Sequence, residues 1–268
     1  ITSELAASTL TAVTDTSMTT LNVTGDQNLT ITGALDFAGA STLAGTLDAS
    51  AFTGNLTVNM ATAEDTTVTG GTGDDTIAYG TTLTTVDVIN GGDGTDTVSV
   101  NQDTFTLSSY TNMSNVEVIS AEATAGSTLS VVTAGSTDIS KVILVENNTD
   151  NNDISAADLA AGVEVEIVSD ADAGDENIGD VTLGLNLASG TADEMTVTLK
   201  GTTGHALASN TIDLLTISNV ETINLVSSHV GTTTASLLTS NDDNTITSLA
   251  IAGATALNIT GTDEIGVT

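Results

Sequence analysis

The sequence predicts an all-β protein, a right-handed parallel β-solenoid of the β-roll or β-helix type with few helices. Apolar residues alternate with Thr and Ser in short segments bounded by Gly, Asn and Asp, and several phrases recur along the chain. Proline is absent from the 268 residues, so every strand position keeps its backbone N–H. Aromatic residues make up 2% with no Trp, so the predicted core consists of Val, Ile, Leu, Ala and Thr.

The alternating segments are the predicted strands. They lie at residues 56–60, 98–100, 129–132, 142–145, 163–168, 181–187, 195–199 and 212–217. Two segments favour a helical turn instead: residues 155–160, with Ser155 as the N-cap, and the first 14 residues.

Two repeated phrases support a solenoid. The phrase L-x-U-x-G-x-x-x-L-x-U-x-G, where U is aliphatic, occurs at residues 21–33 and again at 249–261, which predicts a segment of a longer repeat array. The phrase V-[D/E]-x-I occurs at 86–89, 116–119 and 220–223. Period-2 alternation predicts that its aliphatic residues point inward and that Asp87, Glu117 and Glu221 point outward.

No composition shift marks a firm domain boundary. The polar run at residues 146–153 is the best candidate for a junction or a long turn. We therefore predict a solenoid over residues 1–145 and continuing solenoid repeats over residues 146–268.

The charge of the chain limits its partners. Asp and Glu number 35 against 2 Lys and Arg, a formal net charge of −33. Such a surface repels nucleic acid and anionic membranes, and no apolar run is long enough to predict a membrane span. Cys is absent, so disulfides cannot stabilise the fold. Bound divalent cations would offset the repulsion, because each removes two charges and takes oxygen ligands.

The strongest motif is G-G-x-G-x-D-x-U-x, the nonapeptide of parallel β-rolls, which occurs in full at residues 70–78 and 91–99. Its glycines allow a tight turn with exposed carbonyls, and its aliphatic residue points into the roll. We expect Ca²⁺ between the two turns, with Asp75 and Asp96 as carboxylate ligands. Main-chain carbonyls would complete the site, from Gly70, Gly71, Thr72, Gly73, Gly91, Gly92, Asp93 and Gly94.

The spacing of the two nonapeptides predicts how they meet. Turns on the same side of a β-roll are about 18 residues apart, because two nonapeptides make one coil. Here Asp75 and Asp96 differ by 21 positions, so the half-coil at 79–90 is expanded by three residues. The two turns still face each other and share one ion in this interpretation.

Other acidic residues are weaker candidates for calcium ligands. Asp87, Glu117 and Glu221 could cap calcium sites along the solenoid, or they could be solvated or shared at contacts between copies. Asp170, Asp172 and Asp175 lie in a run that resembles the start of an EF-hand loop, but its twelfth position is Val181 instead of Glu. This run predicts either a looser calcium loop or a solvated acidic turn.

At the nonapeptides the chain resembles the repeats-in-toxin (RTX) family, and more narrowly its surface-layer members, which combine few nonapeptides with long Thr-rich solenoids. The nonapeptides cover about 18 residues, and looser phrases such as Ser-Asn-Val-Glu-Thr-Ile at 218–223 extend the resemblance. The resemblance implies type I secretion, folding on external calcium, and an extracellular lattice of identical copies on a bacterial surface. It also implies anchoring to lipopolysaccharide through parts outside this chain.

The sequence therefore predicts a structural protein and not an enzyme. No nucleophile elbow, phosphate loop or dinucleotide fingerprint occurs, and the two histidines lie outside any recognisable catalytic pattern. Two alternatives stay open: an RTX adhesin module, and the calcium-binding tail of a type I-secreted hydrolase. Two nonapeptides are few for RTX toxins and proteases, which counts against the tail.

Overall fold

The computed structural model is a parallel β-solenoid, in which strands of successive coils pair side by side. Almost all of the regular structure is strand, as predicted, and the described residues contain one 3-10 turn, Leu107–Ser109, and no α-helix. The described residues contain no helix long and apolar enough to span a membrane. The structure describes residues 1–13, 17–37, 45–61, 65–124, 128–133, 138–146, 153–169, 177–186, 193–201, 209–228, 232–238, 248–253 and 257–260.

The chain divides into two compact units, and the first comprises residues 1–101 and 109–120. Its strands alternate between two parallel sheets. Sheet A contains β1 (Thr2–Ser3), β3 (Thr20–Gly25), β5 (Gly45–Phe52), β7 (Thr66–Thr69), β9 (Val88–Asn90) and β12 (Met113–Ser114). Its strands of sheet B are β2 (Ser8–Leu10), β4 (Leu29–Ile31), β6 (Leu56–Asn59), β8 (Thr76–Gly80) and β10 (Thr97–Asn101), with the start of β13 (Val118–Glu122).

The second unit comprises residues 102–108 and 121–268, so the boundary predicted at residue 145 lies inside it. Its strands alternate between sheets B and C. The sheet B strands are β15 (Lys141–Val145), β17 (Glu164–Ser169), β19 (Glu194–Gly201), β21 (Thr222–Ser227) and β23 (Ser248–Gly253). Sheet C contains β11 (Thr104–Thr106), β14 (Leu129–Val132), β16 (Ile154–Leu159), β18 (Asn177–Leu185), β20 (Ser209–Ser218), β22 (Thr232–Leu238) and β24 (Leu257–Thr260).

The core follows the alternation of the sequence. In strands such as β6, β8 and β10 one face is buried, so that inward aliphatic residues of neighbouring coils stack in register, as Val58 does on Ile77 and Ile77 on Val98. The aliphatic residues of both nonapeptides, Ile77 and Val98, are at most 1% exposed. This burial confirms that they point into the roll. All eight predicted strand segments lie in or overlap a strand of the structure.

Three local predictions are wrong. The segment at 155–160 forms most of strand β16, and the described part of the first 14 residues forms β1 and β2, so neither is helical. The acids of the V-[D/E]-x-I phrase do not all point outward: Asp87 and Glu221 are each 5% exposed, whereas Val86 is 59% exposed. Each of these acids precedes its strand and stands two residues before a buried isoleucine, Ile89 or Ile223, so alternation places the acid on the same inward face.

The first half of the shared phrase, at residues 21–25 and 249–253, ends in the same way in both copies. Gly25 and Gly253 end β3 and β23 with φ of +117° and +130°. A Cβ on either glycine would lie about 2 Å from the carbonyl oxygen of a serine one coil earlier, Ser3 or Ser227. Only glycine tolerates both the positive φ and this close approach.

Candidate metal centre

The two nonapeptide turns lie on the same corner, one coil apart. Residues 70–75 connect β7 to β8, and residues 91–96 connect β9 to β10. Thr76 of β8 pairs with Thr97 of β10, so one coil contains 21 residues. This register confirms the predicted stacking and the expanded half-coil.

An inner ladder of carboxylates follows this corner. Asp75 Oδ1 accepts a hydrogen bond from the backbone N–H of Leu56, at 2.8 Å, and Asp96 Oδ1 accepts the N–H of Asp75, at 2.8 Å. Glu117 Oε2 accepts the N–H of Asp96, also at 2.8 Å. Each acid thus caps the amide of the residue one coil earlier. The equal 21-residue spacing of Asp75, Asp96 and Glu117 was a signal in the sequence that the motif search did not use.

An outer ladder runs beside it in the opposite direction. Asn28 Oδ1 accepts the N–H of Asn55 at 3.0 Å, and Asn55 Oδ1 accepts the N–H of Asp74 at 3.1 Å. Asp74 Oδ1 in turn accepts the N–H of Thr95 at 2.9 Å. Asn28, Asn55 and Asp74 were not predicted as site residues, and their role is to fix the coils in register.

The two nonapeptide turns differ in the hydrogen bonding of Oδ2 of their aspartate. Asp75 Oδ2 accepts the N–H of Gly71 at 2.8 Å, so both oxygens of Asp75 are occupied by backbone amides. Asp96 Oδ2 is buried and has no hydrogen-bond partner. Gly92 occupies in the second turn the position of Gly71 in the first, and it has a φ of +108°. Asp96 therefore carries the one buried carboxylate oxygen of the two turns that has no hydrogen-bond partner.

Gly91 shapes the space in front of that oxygen. A Cβ on Gly91 would lie 1.9 Å from the carbonyl oxygen of Asn115 and 2.5 Å from Asp96 Oδ2. The absence of a side chain at Gly91 thus leaves two oxygens from successive coils converging on its α-carbon. Asn115 itself has a φ of +50°, in the left-handed region that Asn tolerates better than most residues.

The corner is electrostatically unfavourable for carboxylates. Burial raises the pKa of Asp75. Burial also raises the pKa of Asp96 to about 6, and the carboxylates of Asp75, Glu117 and Asp74 add to this effect. The hydrogen bond from the N–H of Asp75 opposes it only in part. Without a cation, the inner ladder therefore holds its negative charge at a cost.

Asp96 Oδ2 is the candidate ligand of the two turns that has no hydrogen-bond partner, whereas each carboxylate oxygen of Asp75 already accepts one backbone N–H. Among the predicted carbonyl ligands, that of Gly71 accepts the N–H of Asp93 at 2.9 Å. Gly70, Gly71, Gly73 and Gly91 are buried, while Thr72, Asp93 and Gly94 are exposed. In the described part of the chain, no three acidic or imidazole side chains form a cluster able to hold a metal. A cation here would need carbonyl and water ligands besides Asp96.

Asp87 caps a different corner and is fully hydrogen-bonded. Its Oδ1 accepts the N–H and the hydroxyl of Thr66, at 2.7 and 2.9 Å. Its Oδ2 accepts the N–H and the hydroxyl of Thr84, at 2.7 and 3.1 Å. Because four donors occupy its two oxygens, Asp87 acts as a structural cap that closes the turn between β8 and β9.

In the second unit, Glu221 repeats the arrangement of Glu117. Glu221 Oε2 accepts the N–H of Asp193 at 2.7 Å, and Asp193 Oδ2 is buried without a hydrogen-bond partner. Asp193 was not predicted from the sequence. The three acids of the EF-hand-like run, Asp170, Asp172 and Asp175, lie outside the described residues.

The second unit also contains a carboxylate that is neutralised by side chains. Glu166 is bound by Lys141 at 2.6 Å and by Lys200 at 2.9 Å, with its side chain only 7% exposed. Burial acts to raise the pKa of Glu166, but the hydrogen bonds and charges of the two lysines outweigh it and hold the pKa below its usual value. These two lysines are the only Lys or Arg residues of the chain.

Comparison with known proteins found no match: no family model fits the chain, and no curated protein and no solved structure is significantly similar to it. The functional argument therefore depends on the fold, the corner site and the charge of the chain.

Proposed function

We propose that this protein is an extracellular structural component of the RTX surface-layer type, which folds on Ca²⁺ and assembles with its own copies into a two-dimensional lattice. The observation that carries the proposal is the buried, unpartnered Oδ2 of Asp96 in the second of two stacked nonapeptide turns. Buried polar atoms in proteins almost always have a partner, so an unsatisfied carboxylate oxygen indicates a ligand.

The charge balance supports the same proposal. Both basic side chains of the chain bind Glu166, and Lys141 also lies 3.6 Å from Glu164, so no Lys or Arg is left to neutralise the acids of the first unit. Repulsion of this kind opposes both compaction of one chain and contact between two chains. Calcium relieves both effects, because each ion removes two charges and accepts oxygen ligands in variable number.

In this proposal Asp96 Oδ2 holds the ion, and the carbonyl of Asn115, which also faces Gly91, is a candidate main-chain ligand. Asp75 supports the site from one coil earlier, where it orders Leu56 and Gly71. Bound calcium supplies positive charge to the inner ladder and favours the folded state, since it binds the folded coil and not the extended chain.

The test is negative-stain electron microscopy of the purified chain in millimolar calcium and in chelator, with circular dichroism of the same samples. We expect ordered sheets in calcium and their loss in chelator. The Asp96→Asn variant should need more calcium to assemble, whereas Asp48→Asn should not, because Asp48 is on sheet A and bonds only to nearby Ser50.

Compact monomers under both conditions would contradict the lattice. If such monomers still bound calcium, an adhesin module or the tail of a secreted hydrolase would become the better proposal. A chain that bound no calcium at all would exclude all three.

A further inference from the structure

The surroundings of Asp96 occur a second time in the molecule. The phrase Ser-Asn-Val-Glu stands at residues 114–117 and at 218–221. In both copies the asparagine adopts a left-handed conformation, with a φ of +50° at Asn115 and +60° at Asn219. A third non-glycine residue with positive φ, Asp158, lies in another context. The two phrases therefore share an unusual backbone as well as a sequence.

Each phrase binds an aspartate one coil earlier through the same hydrogen bonds. In the first copy, the carbonyl of Asp96 accepts the N–H groups of Glu117 and Val118, at 3.1 and 2.9 Å, and Glu117 Oε2 accepts the N–H of Asp96. In the second copy, the carbonyl of Asp193 accepts the N–H groups of Glu221 and Thr222, at 3.0 and 2.9 Å.

The second copy is completed in the same way, because Glu221 Oε2 accepts the N–H of Asp193. The separation of aspartate and glutamate is 21 residues in the first copy and 28 in the second. Identical bonds across coils of different length show that the arrangement depends on the phrase and not on the coil length.

Both copies leave the same atom unsatisfied. Among the described residues, the buried side-chain nitrogen or oxygen atoms without a hydrogen-bond partner are Asp96 Oδ2 and Asp193 Oδ2. Asp96 is 1% exposed, whereas Asp193 is half-buried as a residue, and in both the Oδ2 atom itself is buried. An unsatisfied buried carboxylate oxygen is expensive, and its recurrence at one position of a repeated module points to a missing ligand.

We propose that the aspartate and the Ser-Asn-Val-Glu phrase of the next coil form a cation site, present once in each unit, at Asp96–Glu117 and at Asp193–Glu221. The first copy overlaps the calcium site of the proposed function, whereas the second contains no nonapeptide and extends beyond it. The module offers only oxygen atoms, and its two acids are set one coil apart. Both features suit a hard divalent cation with several oxygen ligands, and Ca²⁺ more than Mg²⁺, which requires stricter octahedral geometry.

The test counts the calcium ions bound by the full chain with native mass spectrometry, and measures their affinity by calorimetric titration with Ca²⁺ alone. Asp96→Asn and Asp193→Asn should each lose one ion, and the double variant two. Glu117→Gln and Glu221→Gln keep an oxygen that accepts the aspartate N–H and remove one charge, so each should weaken its site at least tenfold. Asp48→Asn serves as the control with an unchanged ion count.

The outcomes separate this inference from the proposed function. If the wild-type chain binds calcium and Asp193→Asn binds the same number of ions, the second site is wrong while the first stands. If the wild-type chain binds none, both proposals fail. If circular dichroism shows that Asp193→Asn does not fold, the Glu221→Gln variant decides, because an unchanged calcium affinity there overturns the site.

Discussion

Glu166 in the second unit and Asp96 in the first are both buried carboxylates. Basic side chains neutralise the charge of Glu166, and no basic side chain neutralises that of Asp96. Glu166 is held between the ammonium groups of Lys141 and Lys200. Asp96 has one backbone amide on Oδ1, nothing on Oδ2, and other carboxylates nearby. Accordingly the pKa of Glu166 is lowered, and that of Asp96 is raised to about 6.

The difference shows that burial alone does not determine whether a carboxylate stabilises the fold. Where the chain supplies its own cations, a charged glutamate links three neighbouring strands of sheet B in the absence of any ligand. At Asp96 the chain supplies only a backbone amide, and in the proposed function a calcium ion balances the remaining negative charge. The second-unit cluster should therefore be insensitive to calcium, and the first-unit corner sensitive to it.

The largest expected effect comes from removing both lysines. In Lys141→Met with Lys200→Met, Glu166 stays buried without a counter-charge, and we expect a loss of about 1–3 kcal/mol of unfolding free energy. The loss is smaller than for a fully buried ion pair, because the two lysine side chains are 26% and 51% exposed. Each single variant should lose less than half of this, because one ammonium group remains. Urea denaturation in chelator measures all three. A double variant as stable as the wild type would show that the cluster does not stabilise the second unit.

The second largest effect is that of Asp96→Asn on the unfolding free energy, and its sign should depend on whether calcium is present. In chelator, Asp96→Asn removes an uncompensated buried charge and keeps the acceptor for the N–H of Asp75, so we expect a gain of about 1–2 kcal/mol. In calcium the same variant should be less stable than the wild type, because it has lost a ligand. Thermal unfolding under both conditions tests the reversal, and equal shifts under both would contradict it.

A smaller effect of pH should follow from the raised pKa of Asp96. The folded pKa of about 6 exceeds the ordinary value of 3.8, so the folded state binds the proton more tightly. The stabilisation is complete below pH 3.8 and is lost as the pH rises through 6. In chelator, the wild type should therefore gain about 1 kcal/mol over Asp96→Asn between pH 7 and pH 5. A constant difference between the two proteins over this range would refute the shift.

The smallest expected effect is the contribution of Glu166 to the pH dependence of stability, which should have the opposite sign to that of Asp96. The folded pKa of Glu166 lies below the ordinary value of 4.5, so its contribution is present above pH 4.5 and is lost as the pH falls through the folded pKa. The wild type should lose stability relative to Glu166→Gln only at this acid end. Chemical denaturation at a series of pH values from 6 to 3, about one unit apart, measures the difference.

The sequence predicted the stacking of the coils well and the direction of the acids poorly. The nonapeptides at 70–78 and 91–99 correctly implied same-side turns, because the motif specifies glycine turns and an inward aliphatic residue. The outward prediction failed for Asp87 and Glu221, because each acid stands two residues before a buried isoleucine, Ile89 or Ile223, and alternation places both on the same inward face. There the side chain follows the corner and caps an amide of the previous coil.

Other contacts left no usable pattern in the sequence. Glu166 meets Lys141 across 25 residues and Lys200 across 34, so no fixed period connects them. Asp193 likewise meets Glu221 across 28 residues, while Asp96 meets Glu117 across 21. Coil lengths in this chain vary with the loops, and such variation conceals contacts that the stacked strands bring together.

The lysine cluster has a further consequence for the lifetime of the chain. Proteases of the trypsin class cut after Lys or Arg, and the chain offers them only the bonds that follow Lys141 and Lys200. Both residues lie within strands, β15 and β19, and both side chains are bound to Glu166. A protease must bind its substrate as an extended, accessible segment, so cleavage requires these strands to leave their sheet first. The only two tryptic bonds of the chain thus lie in paired strands of sheet B, so we expect their cleavage to report on the opening of that sheet.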